Sequence, residues 1–459
     1  MEHLWDYNVW SSVLLFAVLL GSLLVGNMLK KGLGFLRNSL IPTSVLGGTV
    51  LIIIAAVYKS ITGDVMFDIA LFGGKGTATL ETITYHTLAL GFIASAFNSN
   101  NAKLTKKRSV EIFNTGVTTV STYLLQAIVG MAITMIAACI LVNFFSAAGM
   151  LLPFGYGQGT GQALNYGNIF ETQYGFHGGK SFGLTIAALG FLSASFGGVI
   201  HLNIMKKRGN LRVSGDKNRL NHEKIESDNE IPMQESIDKM TVQIALIFVA
   251  YVMAYLLMYL LGQLLPGMKA TIYGFNFLLG VLSATLIKLI LRLLKKCSVI
   301  KKEYTNNFLM TRASNFFFDI MVVAGIAAIR LDVVEKNWGV LLILGVSGLV
   351  ITYVYNRIVA KTLFKEYQEE QFLAMYGMLT GTASTGIILL REVDGDFETP
   401  AADNLVYQNF PAIVFGFPMM LLATLAPTKP LLTLGILTLF FVVMNVLLFR
   451  AQIFRRNKK

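Results

Sequence analysis

Cysteine, histidine and charge are all scarce in this sequence. Two cysteines in 459 residues, Cys139 in an apolar run and Cys297 in a basic one, build neither a disulfide framework nor a thiolate metal cluster. The five histidines, His3, His86, His177, His201 and His222, show no ligand spacing, which argues against a metal centre. No serine or cysteine stands beside a local base as a hydrolase would need, and no phosphate-cradling loop motif occurs. Charged residues make up only 14% of the chain against 54% hydrophobic ones, far from the usage of a soluble domain. The composition is that of an all-α polytopic membrane protein.

What charge there is has a sign and a place. The net charge of +12 would suit a nucleic-acid partner, but the positions of the basic residues give another reason for it. The first apolar run, Val9 to Leu29, follows Glu2 and Asp6 and precedes Lys30 and Lys31, the reverse of a signal peptide's charge order. It reads as a span with its N-terminus outside. With later spans alternating from there, 29 of the 38 Lys and Arg fall in cytoplasmic segments, as topology demands. The basicity is topological, nucleic acid is not expected, and the C-terminus lies in the cytoplasm.

Segments long enough for a ~30 Å hydrocarbon layer occur at Val9 to Leu29, Leu40 to Tyr58, Thr82 to Phe97, Val110 to Phe145, Phe182 to Met205 and Thr241 to Leu264. Further ones follow at Ile272 to Leu294, Ala313 to Arg330, Gly339 to Tyr355, Leu405 to Leu425 and Leu431 to Leu448, eleven in all. A long, densely charged segment divides them and reads as a cytoplasmic linker at 206–240. Two five-span halves are expected, 1–205 and 241–426, with an extra span and basic tail at 427–459. The fourth apolar segment is nearly twice the needed length and opens rich in hydroxyls. Either it begins as an interfacial helix or it is broken within the membrane.

One segment in each half fits no span. The first, near 150–170, contains FGYGQGTGQALNYG (Phe154 to Gly167); the second, near 372–390, reads FLAMYGMLTGTASTGIILL (Phe372 to Leu390). Aligned without a gap at an offset of 220 residues, both carry Tyr-Gly, two residues, Thr-Gly, one residue and Ala. Each follows the fourth span of its half and precedes the fifth. Five is odd, so the halves are inverted and the segments enter from opposite sides, an arrangement known in secondary transporters.

Irregular backbone at membrane depth survives only where protein or a watery cavity covers it. Re-entrant hairpins of this kind hold an anion on free backbone amides and a sodium ion on carbonyl, hydroxyl and amide oxygens. The candidate substrate and sodium residues are therefore polar but uncharged: Gln158, Thr160, Gln162, Asn165, Thr380, Thr382, Ser384 and Thr385. Small residues also serve close helix packing, so glycine alone assigns no site. Intramembrane ionisable residues are few, and Asp319 in NFFFDIMVVAG is the sharpest. It reads as a cation or proton site, or as the partner of Asn315 or of a residue on another span.

In chain order, IPTSVLGG (Ile41 to Gly48), LLQAIVG (Leu124 to Gly130), GQGTGQA (Gly157 to Ala163), YGF (Tyr174 to Phe176), FGG (Phe196 to Gly198), the second Gly/Thr segment and NFPAIVFGF (Asn409 to Phe417) resemble the bacterial sodium/glutamate symporter family. The resemblance covers nearly the whole chain through short motifs. It implies a homodimeric transporter of the bacterial inner membrane that imports L-glutamate with sodium and needs no other cofactor, with the membrane lipid as its surround. Positions matching the family are Gly157, Gly159, Thr160, Gly161 and Ala163 in the first hairpin, Gly381 and Thr385 in the second, and Gln126 in the fourth span. The chain departs where Gln158 stands in place of the family's histidine, at Leu379, Thr380 and Ser384, and at Asp319. These departures leave open another carboxylate as substrate and a proton as coupling ion.

Overall fold

The computed structural model describes residues 3–38, 41–97, 105–207, 230, 237–266, 269–394 and 398–455. Most of the linker expected at 206–240 lies outside them, as does the end of the basic tail. Helix makes up 85% of the described residues, and among them no strand forms. The first half contributes α1 (Tyr7–Gly32), α2 (Thr43–Thr62), α3 (Gly76–Phe97), α4 (Lys106–Ile140), α5 (Leu151–Tyr174) and α6 (Gly179–Lys207). The second contributes α7 (Lys239–Leu264), α8 (Asn276–Lys296), α9 (Asn307–Ala327), α10 (Leu331–Leu363), α11 (Gln368–Thr380), α12 (Ala383–Arg391), α13 (Ala401–Tyr407) and α14 (Asn409–Leu425); α15 (Pro430–Leu448) follows.

Local chemistry sets the helix starts. Thr105, Asp238 and Asn306 accept backbone N–H groups of the first turns of α4, α7 and α9, which satisfies donors that have no intrahelical partner. Among the described residues, nine helices (α1, α2, α4, α6 to α10 and α15) are long and apolar enough to cross a membrane. A tenth candidate is the bent pair α13 and α14, whose parts meet at 51°. The segment Thr82 to Phe97 lies within α3, which is helical over 22 residues but is not one of the nine. Glu81, Thr82, Thr84, His86 and Thr87 dilute its hydropathy, and its Leu88, Ala89, Ile93 and Ala94 are fully buried in protein. The long fourth segment is one unbroken 35-residue helix that starts at Lys106, so the alternative of a break within it does not hold.

The two odd segments double back. Inside α5 the helix breaks at Gly159, whose φ of 78° and ψ of −170° belong to a region that side-chain-bearing residues avoid. The consequence shows in the aromatic contacts. Phe154 and Tyr166 stack with centroids 3.8 Å apart, and Phe145 meets both Phe170 and Phe176, so the chain returns to the level at which it entered. In the second half the break falls at Gly381 and Thr382, between α11 and α12. There a Cβ on Gly386 would meet the carbonyl of Ala374 and lie 3.2 Å from the Met378 nitrogen, so α12 returns along α11.

Helix α6 packs along both doubled-back segments. The two tyrosines of the repeated sequence pattern converge on it: Tyr156 Oη lies 2.9 Å from Ser193 Oγ, and Tyr376 Oη donates to Ser193 O at 2.7 Å. The first turn of α11 is tied down as well. Glu369 takes a two-pronged bond from Arg357 of α10, at 2.7 and 2.6 Å, and a contact with His201 Nε2 of α6 at 2.8 Å. Burial alone would push the Glu369 carboxyl up, but the bonds to His201 and Arg357 outweigh it and hold the group down at about 2.

The approach to α5 is fixed by Thr134 of α4, whose hydroxyl donates to Ser146 O at 2.7 Å and accepts from Gly149 N at 3.0 Å. Gly149 there rests directly on the backbone of Gly130, and a Cβ would collide with that backbone. Backbone cannot yield as a flexible side chain does, so we expect Gly149→Ala to destabilise the fold by ~1–3 kcal/mol. An apparent melting temperature equal to the wild type's would show that the contact is not close.

Candidate functional site

The breaks in the two doubled-back segments meet. A Cβ built on Gly159 lies 3.4 Å from Thr382 Cγ2 and 3.7 Å from Gly381 O. Two helix N-termini thereby converge, that of the returning arm of α5 at Thr160 and that of α12 at Ala383. Thr382 makes no side-chain cap there. Converging N-termini bring positive dipole ends to one place.

A cavity of about 140 Å³ opens at this meeting point. Its walls come from α3 (Leu88, Phe92, Ser95), α4 (Tyr123), α5 (Gly157, Gln158), α9 (Phe318, Met321), the α11–α12 junction (Gly381, Thr382, Ala383) and α14 (Gln408, Asn409). Among the described residues that line it there is no Asp, Glu, His, Lys or Arg. The polar ones are largely committed to each other: Tyr123 Oη donates to Gly157 O at 3.0 Å, Thr119 to Gln408 Oε1 at 2.9 Å, and Gln408 to Asn409 Oδ1 at 3.0 Å. Gln158 is the exception, since its Nε2 is buried without a hydrogen-bond partner. A free donor in the wall of a small neutral cavity suits an acceptor group of a ligand.

The sequence-derived candidates divide around this cavity. Gly157, Gln158, Gly381 and Thr382 line it, and Gly159 and Thr160 form the neighbouring turn, where Thr160 Oγ1 donates to Met321 O at 3.2 Å. Thr385 lies 3.3 Å from Thr382, hydroxyl to hydroxyl. Thr380 instead donates to its own helix at Tyr376 O, and Gly161 packs on Leu88. Gln162 is buried with both amide atoms unpaired, and the side chain of Ser384 lies outside the described residues. Asn165 stands apart, bonded to Gly274 O at 3.1 Å beside a separate cavity of about 390 Å³. Gln126 bonds Thr352 and the Leu379 carbonyl. Asp319 falls between Phe318 and Met321 in sequence but does not line the cavity.

Sequence reasoning missed Tyr123, Gln408 and Asn409. The last two open α14 as a polar pair before Pro411, which was the available signal. A wide cavity of about 640 Å³ lies elsewhere, bounded by Lys59, Lys75, Lys180 and Arg330 with Asp68, Glu81 and Asp332. The Glu81–Lys180 ion pair, 2.7 Å long, borders both this space and the one beside Asn165.

A bundle of membrane-crossing helices that folds broken segments around a small uncharged cavity is a multi-pass membrane transporter. The chain belongs to the sodium/glutamate symporter family, whose model matches residues 7–397. That family comprises transporters, not enzymes. The match ends before α13, so Asn409 and Phe417, in a stretch that resembles the family, lie beyond it. No curated protein matches the chain.

Gly159 offers a test of the tip. Space there would admit a methyl group, yet its φ of 78° disfavours one, at a cost of ~1–3 kcal/mol if the geometry is kept. We expect Gly159→Ala to reduce solute uptake at least tenfold in reconstituted vesicles while the protein stays monodisperse. Uptake at the wild-type rate would mean that the tip geometry is not used.

Proposed function

We infer that the protein is a sodium-driven importer of a small anionic amino acid, L-glutamate first. The observation that carries this reading is the cavity at the meeting tips: no lining side chain is charged, and it is walled by the unpaired Gln158 amide and the first residues of α12. Backbone dipoles and neutral donors hold a carboxylate there without a fixed counter-charge. Each sodium ion entering with the membrane potential gains ~2.3 kcal/mol per 100 mV, so more than one sodium per glutamate drives uptake inward.

Two inverted repeats, 1–205 and 241–426, frame the site, each with a re-entrant hairpin: α5 in the first and α11–α12 in the second. Support comes from the doubling-back at Gly159 and at Gly381–Thr382 and from the shared anchoring of Tyr156 and Tyr376 on Ser193. The linker at 206–240 is cytoplasmic, the N-terminus is outside, and α15 with its tail, 427–459, is an addition to the repeats. The working unit is a homodimer in the bacterial inner membrane, with exposed apolar faces such as those of α7 and α15 meeting lipid or the second copy.

A second reading, transport of another carboxylate with sodium or protons, is favoured by one observation. Gln158 lines the cavity at the position where the family carries histidine. In proteoliposomes, labelled glutamate should accumulate with an inward sodium gradient and not with potassium; equal uptake in potassium overturns the coupling. Aspartate, citrate, malate and neutral amino acids as competitors separate the substrates. A hydrogen bond to a charged group is worth ~1.5–3 kcal/mol, so Gln158→Ala should raise the half-saturating glutamate concentration roughly 10- to 100-fold. An unchanged value removes Gln158 from the substrate contacts.

A further inference from the structure

Away from the cavity wall, α4 and α10 face each other through four polar side chains. Gln126 and Asn356 are 0% and 2% exposed. Gln126 Nε2 donates to Thr352 Oγ1 at 2.8 Å and to Leu379 O at 3.0 Å. Asn356 Nδ2 donates to Thr352 O at 2.9 Å and to Thr122 Oγ1 at 3.4 Å. Thr122 and Gln126 are one turn apart on α4, as Thr352 and Asn356 are on α10, so each helix supplies one hydroxyl and one amide. Each amide reaches the hydroxyl of the other helix.

Chemistry fixes which end of each amide is which. The carbonyls of Leu379 and Thr352 can only accept, so the NH₂ groups must face them. The oxygens are the ends turned away. Gln126 Oε1 and Asn356 Oδ1 are both buried and both lack a hydrogen-bond partner, the more damaging state for a polar atom removed from water. Both amides bond the same residue, Thr352, so the two orphaned oxygens belong to one locality.

Neutral oxygens gathered in a dry interior match a hard cation stripped of water. A divalent ion would call for carboxylates, and among the described residues no group of three His, Cys, Asp or Glu side chains could hold one. We propose that the crossing of α4 and α10 binds a monovalent cation, sodium, on Gln126 Oε1 and Asn356 Oδ1, with the hydroxyls of Thr122 and Thr352 at hand. This rests on the sodium-coupled reading above and gives that reading a place. Gln126 also holds the carbonyl of Leu379, two residues before Gly381 in the cavity wall. A cation that fixes the Gln126 amide therefore fixes the end of α11 where substrate binds, which ties the two occupancies together.

The test titrates the purified full-length protein with sodium chloride, with choline chloride keeping the ionic strength constant and glutamate left out, and reads the melting midpoint. Wild type should be stabilised saturably by sodium and not by choline. Asn356→Leu and Gln126→Leu should each raise the half-saturating sodium at least tenfold. Asn356→Asp, which keeps the oxygen and adds charge at equal size, should lower it at least threefold and remains informative if the leucine variants do not fold. Sodium stabilisation of wild type with half-saturation unchanged in these variants means that the orphaned oxygens hold water, which overturns the site and leaves sodium coupling standing. A wild type indifferent to sodium in both melting and uptake overturns the coupling itself.

Discussion

Everything at the centre of this molecule depends on one constraint: a backbone that breaks its helix inside a packed apolar interior must find partners for its amides and carbonyls within the protein. Two segments turn there, and each does so against the other. A Cβ at Gly159 would stand 3.4 Å from Thr382 Cγ2 and 3.7 Å from Gly381 O, so the two breaks face each other, with Tyr123 of α4 and Met321 of α9 beside the first. A small cavity lies against both breaks, lined by Gly157, Gln158, Gly381 and Thr382. Structural necessity and ligand recognition are thus met by the same groups, since an amide left over by a broken helix is also a donor that an anion can take.

Much of this was legible in the sequence because membrane spans declare themselves by length and apolarity. The eleven expected segments fall mostly in helices, of which nine, or ten with the bent pair, are long and apolar enough to cross among the described residues, and the two that fit no span are the two that double back. The register of the breaks was not legible. The gap-free alignment pairs Thr160 with Thr380 and Gly161 with Gly381, whereas the chain breaks at Gly159 in one half and at Gly381 in the other. The shared tyrosines explain the difference. Tyr156 and Tyr376 are both anchored to Ser193, but α11 continues to Thr380 before it stops, so the same motif places its turn two residues later.

Residues brought by tertiary packing alone left little trace. Tyr123 sits in a stretch noticed for its hydroxyls, yet nothing local says that its ring covers Gly157. Asp319 shows the same limit from the other side. An acid in an apolar helix draws the eye, but a helix has several faces, and the face of α9 that looks on the cavity carries Phe318 and Met321. Periodicity gives the faces of a helix; only neighbours say which face meets the site.

On the proposed function, the neutrality of the cavity follows from what a carrier must do. A fixed arginine or lysine in the wall would bind a carboxylate tightly, but the same charge would have to be desolvated when the site empties, a burial that an unpaired ion resists. Donors drawn from backbone and amide side chains avoid that penalty, because they are dipoles and can be re-covered by each other or by water. Beyond the cavity a chain of polar side chains is paired in this way. Gln408 bonds Thr119, and Gln371 and Asn404 continue the polar contacts to Arg108 and Glu111, so charge is reached only where those helices begin. A site that must be filled and vacated is therefore built from groups that lose little in either state, and the charges stand outside it.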